Sequence, residues 1–151
     1  MPTFPDVPQI SWEEVQKKGG ILVFGSNRHG RHERGMAQIA RDYFGAEPGN
    51  PSGRQGQSYA IITKDLGKAN HPSVSEDEII QQIRSLYQYA LENQGLQFYI
   101  PYFRYRQEQQ SGRNLNGYRD HEMARMFSGD IPENVWFQAG FFALVNTAGH
   151  R

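Results

Sequence analysis

The sequence predicts an α/β protein whose mainly parallel sheet is covered by helices on both faces. Short apolar segments that suit buried strands alternate with segments whose apolar residues recur at helical spacing. Polar segments follow the first three strands, as in α/β folds that bind ligands at strand ends. A chain of 151 residues, 37% of them hydrophobic, is long enough for one core. We therefore assign residues 1–151 to a single domain.

The N-terminal third predicts an extended arm, two helices and a strand. Residues 1–10 hold three prolines and are expected to lie extended. The capping-box pattern Ser11-Trp12-Glu13-Glu14 begins a short helix that ends at Gly19-Gly20. Residues 21–24 are four apolar residues and predict a buried strand. A second helix then ends at Gly45, which suits a left-handed C-cap. Its apolar face is expected to comprise Met36, Ile39, Ala40, Tyr43 and Phe44.

The middle of the chain predicts a loop, two strands and the longest helix. Residues 46–57 form a polar loop rich in glycine and proline, and residues 58–63 form a strand. The pattern Ser75-x-x-Glu78 caps the long helix, which ends at residues 93–95. Its buried face is expected to consist of Ile79, Ile83, Leu86, Tyr87 and Ala90. Residues 96–103 form a third strand, in which Pro101 ends regular pairing.

The C-terminal third begins with a polar loop over residues 104–119. Asp120 is expected to cap a short helix that stops at Gly129. The apolar positions of that helix are Met123, Met126 and Phe127. The last strand, a terminal helix and a mobile tail are predicted at residues 135–137, 139–146 and 147–151.

Composition excludes several classes of function. A formal net charge of zero gives no overall attraction to nucleic acid or to a membrane. The absence of cysteine rules out disulfides and thiolate chemistry. The N-terminus lacks the basic start and apolar core of a signal peptide, and no apolar run approaches the ~20 residues of a membrane helix. We expect a cytoplasmic protein without a membrane partner.

The loop after the first strand, residues 25–35, is the first candidate site. Its glycines let a ligand approach the backbone, and the following helix start offers N–H groups to an anion. The amide of Asn27 suits a ribose hydroxyl or a base edge. A tight turn with solvated charges is the structural alternative. His29 and His32 lack a regular ligand spacing, so we assign no metal site.

Lys64, at the end of the second strand, is the second candidate. At the carboxyl end of a buried strand, a lysine often points into the cleft, where desolvation lowers its pKa and makes it a nucleophile or an electrostatic catalyst. The alternative is a surface lysine near Asp65.

Residues 112–118, with the sequence GRNLNGY, are the third candidate. Glycines flanking amides suit a second phosphate-binding turn, and Tyr118 suits stacking on a base; a flexible loop is the alternative. If the strands are parallel neighbours, the loops 25–35, 64–73 and 104–118 converge on one cleft. The glycine-rich loop 49–57 precedes a strand instead of following one, so strand direction alone does not assign it to this cleft.

Three segments, in this order and spacing, resemble small prokaryotic and phage proteins related to the macrodomain: FGSNRHGRHERGMAQIARDYFGA, GRQGQSYAIITKD and GRNLNGY. The resemblance covers about residues 21–137. It implies a three-layer α/β/α sandwich that binds ADP-ribose. In such proteins an asparagine-bearing loop holds the distal ribose and a second glycine-rich loop wraps the diphosphate. The ligand-binding residues so implied are Gly25, Ser26, Gly30, Arg34, Gly35, Met36, Thr63, Gly112, Arg113, Asn114, Leu115, Asn116, Gly117 and Tyr118.

The segment AIITKD further resembles the branch that contains terminal ADP-ribose glycohydrolases and antitoxins that remove ADP-ribose from DNA. In that branch a lysine after the same strand is catalytic. The resemblance implies that Lys64 attacks, or stabilises charge at, the anomeric carbon of the distal ribose, and that Asn27 orients the ribose. The implied partner is ADP-ribose or an ADP-ribosylated nucleic acid or protein, without a cofactor.

Two departures from the family pattern leave other functions open. The family's second loop reads close to GCGLxG, whereas here the cysteine-type turn is missing and the polar stretch Arg104–Ser111 intervenes. The acid that the hydrolases carry near that loop is replaced by Asn114 and Asn116, with Asp120 and Glu33 as candidate substitutes. A non-catalytic module that binds or sequesters such a nucleotide is therefore an alternative. A further alternative is a nucleic-acid-binding protein that uses the tyrosines and arginines of residues 102–113.

Overall fold

Six strands form one sheet in the computed structural model, which describes residues 3–4, 12–33, 35–102 and 116–148. The strands are β1 (Thr3–Phe4), β2 (Ile21–Asn27), β3 (Gly53–Gln55), β4 (Ser58–Lys64), β5 (Phe98–Ile100) and β6 (Val135–Gln138). Their order is β1-β6-β5-β2-β4-β3. Every neighbouring pair is parallel except β3 and β4. The predicted mixed, mainly parallel sheet is thus confirmed.

Helices cover both faces of this sheet. Within the described residues they are α1 (Trp12–Lys17), α2 (Gly35–Tyr43), α3 (Glu76–Glu92), α4 (Asp120–Phe127) and α5 (Ala139–Ala148). Side chains of β2 alternate between two hydrophobic clusters, because successive residues of a strand point to opposite faces. Ile21 and Val23 pack with α3, α4 and α5, whereas Leu22 and Phe24 pack with α1 and α2. The architecture is a three-layer α/β/α sandwich, as expected.

The longest helix, α3, follows its sequence signals closely. All five residues of its predicted apolar face are buried. Ser75 is the N-cap, and its Oγ accepts the Glu78 N–H at 3.2 Å. The Glu78 carboxylate does not return to the cap, because it pairs with Arg28. The apolar periodicity and one half of the capping box are therefore confirmed.

Helix α4 differs from its prediction at the N-terminus only. Arg119 is the N-cap, and Asp120 is the first helical residue. The Arg119 N–H donates to Glu122 Oε1 at 2.7 Å, which satisfies the backbone in place of a capping side chain. At the other end of the helix, the buried Tyr87 hydroxyl donates to the Phe127 carbonyl at 2.6 Å. This bond ties α3 to a carbonyl that has no partner within α4.

Several element boundaries were wrong in the prediction. Strands β2 and β4 continue through polar residues to Asn27 and Lys64, because backbone pairing does not require apolar side chains. Strand β5 is shorter than predicted and ends before Pro101, while β3 lies in a stretch predicted as loop. Helix α5 extends to Ala148, so the predicted mobile tail begins inside a helix.

The apolar face of α2 is also shifted from its prediction. Tyr43 is 61% exposed, whereas Ala37, Ala40 and Phe44 are buried. Gly45 ends the helix with φ +75°, the left-handed conformation predicted for its cap. The N-terminal arm contributes β1, which pairs with the end of β6.

Candidate functional site

The carboxyl ends of β2, β4 and β5 form one edge of the sheet, which we call the carboxyl edge. The three strands are parallel neighbours, so the segments that follow them leave from the same edge, as predicted. Asn27 and Lys64 are partners at the ends of β2 and β4, directly after a shift in the register of the two strands that skips Thr63. The Arg28 N–H donates to the Lys64 carbonyl at 3.0 Å, which holds the two strand ends together. Two predicted catalytic residues, 37 positions apart in the chain, are therefore neighbours.

The side chain of Asn27 organises the loop that follows β2. Its Oδ1 accepts the N–H groups of His29 at 3.2 Å and Arg31 at 3.0 Å, and its Nδ2 donates to the Arg31 carbonyl at 2.8 Å. The residue is 8% exposed. This is the behaviour of an asparagine that substitutes for backbone hydrogen bonds in a turn. Asn27 thus has a structural role that the sequence analysis did not assign.

Gly30 and His32 join this loop to residues 49–50. Gly30 has φ +67°, and a Cβ there would lie 2.6 Å from the Gly49 carbonyl carbon, so only glycine fits. Buried His32 places Nε2 3.2 Å from the Asn50 carbonyl and packs edge-on against Phe24. The sequence did not decide on which side of the sheet the loop 49–57 lies. Its contacts with Gly30 and His32 place it at the carboxyl edge. In the part of the chain that the structure describes, no group of three His, Asp or Glu residues is arranged to hold a metal.

The other ligand-binding residues predicted around the loop after β2 lie mainly inside the fold. Ser26 and Thr63 are each 4% exposed, and Thr63 Oγ1 donates to the Ser26 carbonyl at 3.4 Å. Gly25 lies within β2 beside them. Gly35 opens α2 with φ +56°, and partly buried Met36 packs against the cluster beneath α2. Arg34 lies outside the described residues.

An ionic cluster borders the carboxyl edge. Arg28 makes two hydrogen bonds of 2.7 Å to the Glu78 carboxylate, and its Nε lies 3.4 Å from Asp65 Oδ2. The hydrogen-bonded guanidinium lowers the pKa of Glu78 below its ordinary value. The cluster joins the ends of β2 and β4 to the first turn of α3. No local pattern in the sequence indicates this cluster, because Arg28 and Glu78 are 50 residues apart.

His71 and Ser73 lie in the segment between β4 and α3. Ser73 Oγ accepts the Asp65 N–H at 2.8 Å and lies 2.7 Å from His71 Nδ1. Burial and then the positive charge of Lys64 lower the pKa of His71, while Asp65 acts in the opposite direction. His71 is therefore electrostatically coupled to Lys64. No pattern in the sequence identified this histidine.

The described end of the third candidate loop, residues 116–118, packs against this same segment. Gly117 has φ +91°, and a Cβ there would overlap the backbone of His71 and Pro72. Tyr118 is 6% exposed, and its hydroxyl donates to the Val74 carbonyl at 2.5 Å. Its ring packs in the core, away from a surface on which a base would stack. The remaining predicted residues of this loop, Gly112, Arg113, Asn114 and Leu115, lie outside the described residues.

No protein-family model, curated protein or solved structure matches this chain. The macrodomain resemblance therefore stays a prediction that rests on the sequence segments themselves. Among the described residues, none of the helices has the length and apolar character needed to cross a membrane.

Proposed function

We propose that this chain binds ADP-ribose or a related NAD-derived nucleotide at the carboxyl edge and hydrolyses an ADP-ribosyl linkage there. The observation that carries the proposal is the pairing of Asn27 with Lys64 at the ends of two adjacent parallel strands. Ligands of open α/β sheets bind outside the carboxyl ends of the strands. The sequence segments that resemble macrodomains contribute both residues to this edge.

Further support comes from the segments around Lys64. The loop after β2 lies on one side, held in shape by Asn27, and residues 116–118 contact the segment that follows Lys64. Lys64 is partly buried, and a lysine in this setting suits stabilisation of charge that develops as a glycosidic bond breaks. In this arrangement Asn27 shapes the ribose-binding loop, and the second amide N–H remains for the ligand.

The first test is calorimetry with ADP-ribose. We expect saturable binding by the wild type, and no binding at millimolar ADP-ribose would overturn the whole proposal. The second test measures ADP-ribose release from an ADP-ribosylated DNA oligonucleotide and from protein ADP-ribosylated on glutamate. Lys64→Ala is expected to lower kcat by about 10²-fold or more. Lys68→Ala is the matched control, since Lys68 is an exposed lysine of the same segment, and it should keep full activity.

A non-catalytic binding module is the second candidate. Asn116 favours this candidate. The hydrolases that this chain resembles carry an acidic residue near the second loop, whereas here that loop offers an asparagine. Asn116 is 6% exposed, and its amide bonds within its own segment to the Tyr118 N–H and the Met123 sulfur. If the wild type binds ADP-ribose but releases none from either substrate, this candidate replaces the hydrolase.

Binding of nucleic acid through residues 102–113 stays a prediction, because all of these residues except Tyr102 lie outside the described part of the chain. Fluorescence anisotropy with a single-stranded oligonucleotide at two salt concentrations tests it. Salt-sensitive binding in the absence of ADP-ribose binding would favour this alternative over the first two.

A further inference from the structure

His71 lies between the two parts of the chain that we assign to the ligand. On one side, the charge of Lys64 acts on its imidazole. On the other side, Gly117 packs so closely against the His71–Pro72 backbone that no side chain fits at Gly117. Residues 116–118 are thereby held against His71. Ser73 Oγ lies 2.7 Å from His71 Nδ1 and accepts the Asp65 N–H, so the imidazole is tied to the residue that follows Lys64 at the end of β4, although it comes from neither predicted ligand loop.

Hydrogen bonds orient the His71 ring and leave one nitrogen available. Ser73 Oγ has two lone pairs, and the Asp65 N–H occupies one of them. This contact allows two tautomers, and in the one that our inference uses the other lone pair accepts a proton from His71 Nδ1, 2.7 Å away. In this tautomer Nε2 is a bare acceptor, and within the described residues it has no hydrogen-bond partner. Ser73 is therefore a positioning residue that prepares Nε2 to accept a proton.

The charges around His71 favour the neutral ring. Burial and Lys64 disfavour the imidazolium, and Asp65 favours it, with a net lowering of the pKa below the ordinary 6.5. The adjoining residues 116–118 add no charged side chain, and burial raises the pKa of Tyr118, which stays neutral. An uncharged imidazole at neutral pH is the state that a general base requires.

We propose that His71 is a catalytic residue, the general base of the hydrolysis proposed above, and the inference rests on that proposed function. A water oxygen bonds to the anomeric carbon while one of its protons passes to His71 Nε2. The electron pair of the glycosidic bond leaves with the base or carboxylate, and the Lys64 ammonium stabilises the negative charge that develops there. The proton on His71 returns to solvent, from which a departing base takes one, and the net change is the addition of one water across the bond. His71 thus fills the place of the acid that residues 116–118 lack.

The test compares His71→Asn with the wild type in ADP-ribose release from an ADP-ribosylated DNA oligonucleotide. His71→Asn is expected to lower kcat by about 10²- to 10⁴-fold and to change the calorimetric Kd for ADP-ribose by less than about threefold. His121→Asn is the matched control, because His121 is an exposed histidine on α4, and it should match the wild type. Ser73→Ala should lower kcat by a smaller factor and keep the pH dependence.

The pH profile separates proton transfer from a structural role. A general base acts only when unprotonated, so kcat/KM of the wild type should fall about tenfold per pH unit below the pKa of His71 in the free enzyme. That pKa lies under 6.5 and is measured independently by NMR titration of the imidazole. The residual activity of His71→Asn should not show this fall at low pH. If the kinetic and NMR values of the wild type disagree, the inference is overturned, even where the variant fails to fold.

Other outcomes separate this inference from the proposed function. If the wild type releases ADP-ribose through Lys64 but His71→Asn stays within about threefold of it, the inference fails and the proposed function stands. If His71→Asn loses ADP-ribose binding and thermal stability together, His71 has a structural role and the inference fails. If the wild type neither binds ADP-ribose nor releases it, both fail.

Discussion

Replacing Asn27 by alanine tests whether its side chain holds the loop at the carboxyl edge. The substitution removes three hydrogen bonds, from the N–H groups of His29 and Arg31 and to the Arg31 carbonyl. Each such bond contributes a net ~0.5–1.5 kcal/mol. Arg31 is exposed, so water replaces part of what is lost. We therefore expect the free energy of unfolding to fall by about 1.5–3 kcal/mol, in the lower part of the summed range.

Urea unfolding followed by circular dichroism measures this loss. Asn27→Asp keeps both acceptor bonds but loses the donor and sets a carboxylate against the Arg31 carbonyl, so it should fall between the wild type and Asn27→Ala. Asn70→Ala is the matched control, because Asn70 is an exposed loop asparagine. A loss below about 0.5 kcal/mol for Asn27→Ala would refute the structural role. If such a variant also loses ADP-ribose affinity, the amide serves the ligand alone.

Three further substitutions test contacts at this edge and between α3 and α4 by urea unfolding. Glu78→Gln should cost no more than about 1 kcal/mol at neutral pH, since the pair with Arg28 is half-exposed. Because Arg28 lowers the pKa of Glu78, the stability that this pair contributes is complete above pH 4.5, the ordinary pKa, and disappears as the pH falls through the lower pKa of the folded protein. A difference in unfolding free energy between Glu78→Gln and the wild type that persists in strong acid contradicts this. Gly117→Ala should cost about 1–3 kcal/mol more than Gly129→Ala, because both have positive φ but only Gly117 lacks space for a Cβ; equal losses contradict this. Tyr87→Phe should cost about 1–2 kcal/mol by removing the hydrogen bond from the Tyr87 hydroxyl to the Phe127 carbonyl, and a neutral effect would show that the hydroxyl is dispensable.

The sequence predicted the features that depend on neighbouring residues. The apolar face of α3, its Ser75 cap and the left-handed Gly45 were all correct. These signals are local, because helical spacing, capping and positive φ are properties of a few consecutive residues. The alternation of strands and helices was likewise enough for the α/β class and for the placing of Lys64 at the end of a strand.

Strand boundaries and exposed faces depended on partners that lie far away in the chain. β3 is a strand because β4 offers it an edge, and three polar residues gave no sign of this. Tyr43 is exposed because the cluster beneath α2 is filled by Ala37, Ala40 and Phe44. Apolar periodicity shows that a helix has a buried face, but the shape of the opposing surface sets where that face ends.

The candidate site divides in the same way. By itself the sequence placed Lys64 at the end of one strand and Asn27 in the loop after another, with glycine-rich segments following or preceding those strands. Only the tertiary structure decided what their distant neighbours are: Arg28 reaches Glu78, Ser73 bonds to the Asp65 N–H, and Gly117 packs against the His71–Pro72 backbone. The physical reason is that hydrogen bonds and charges act over a few ångströms of space, whatever the separation along the chain.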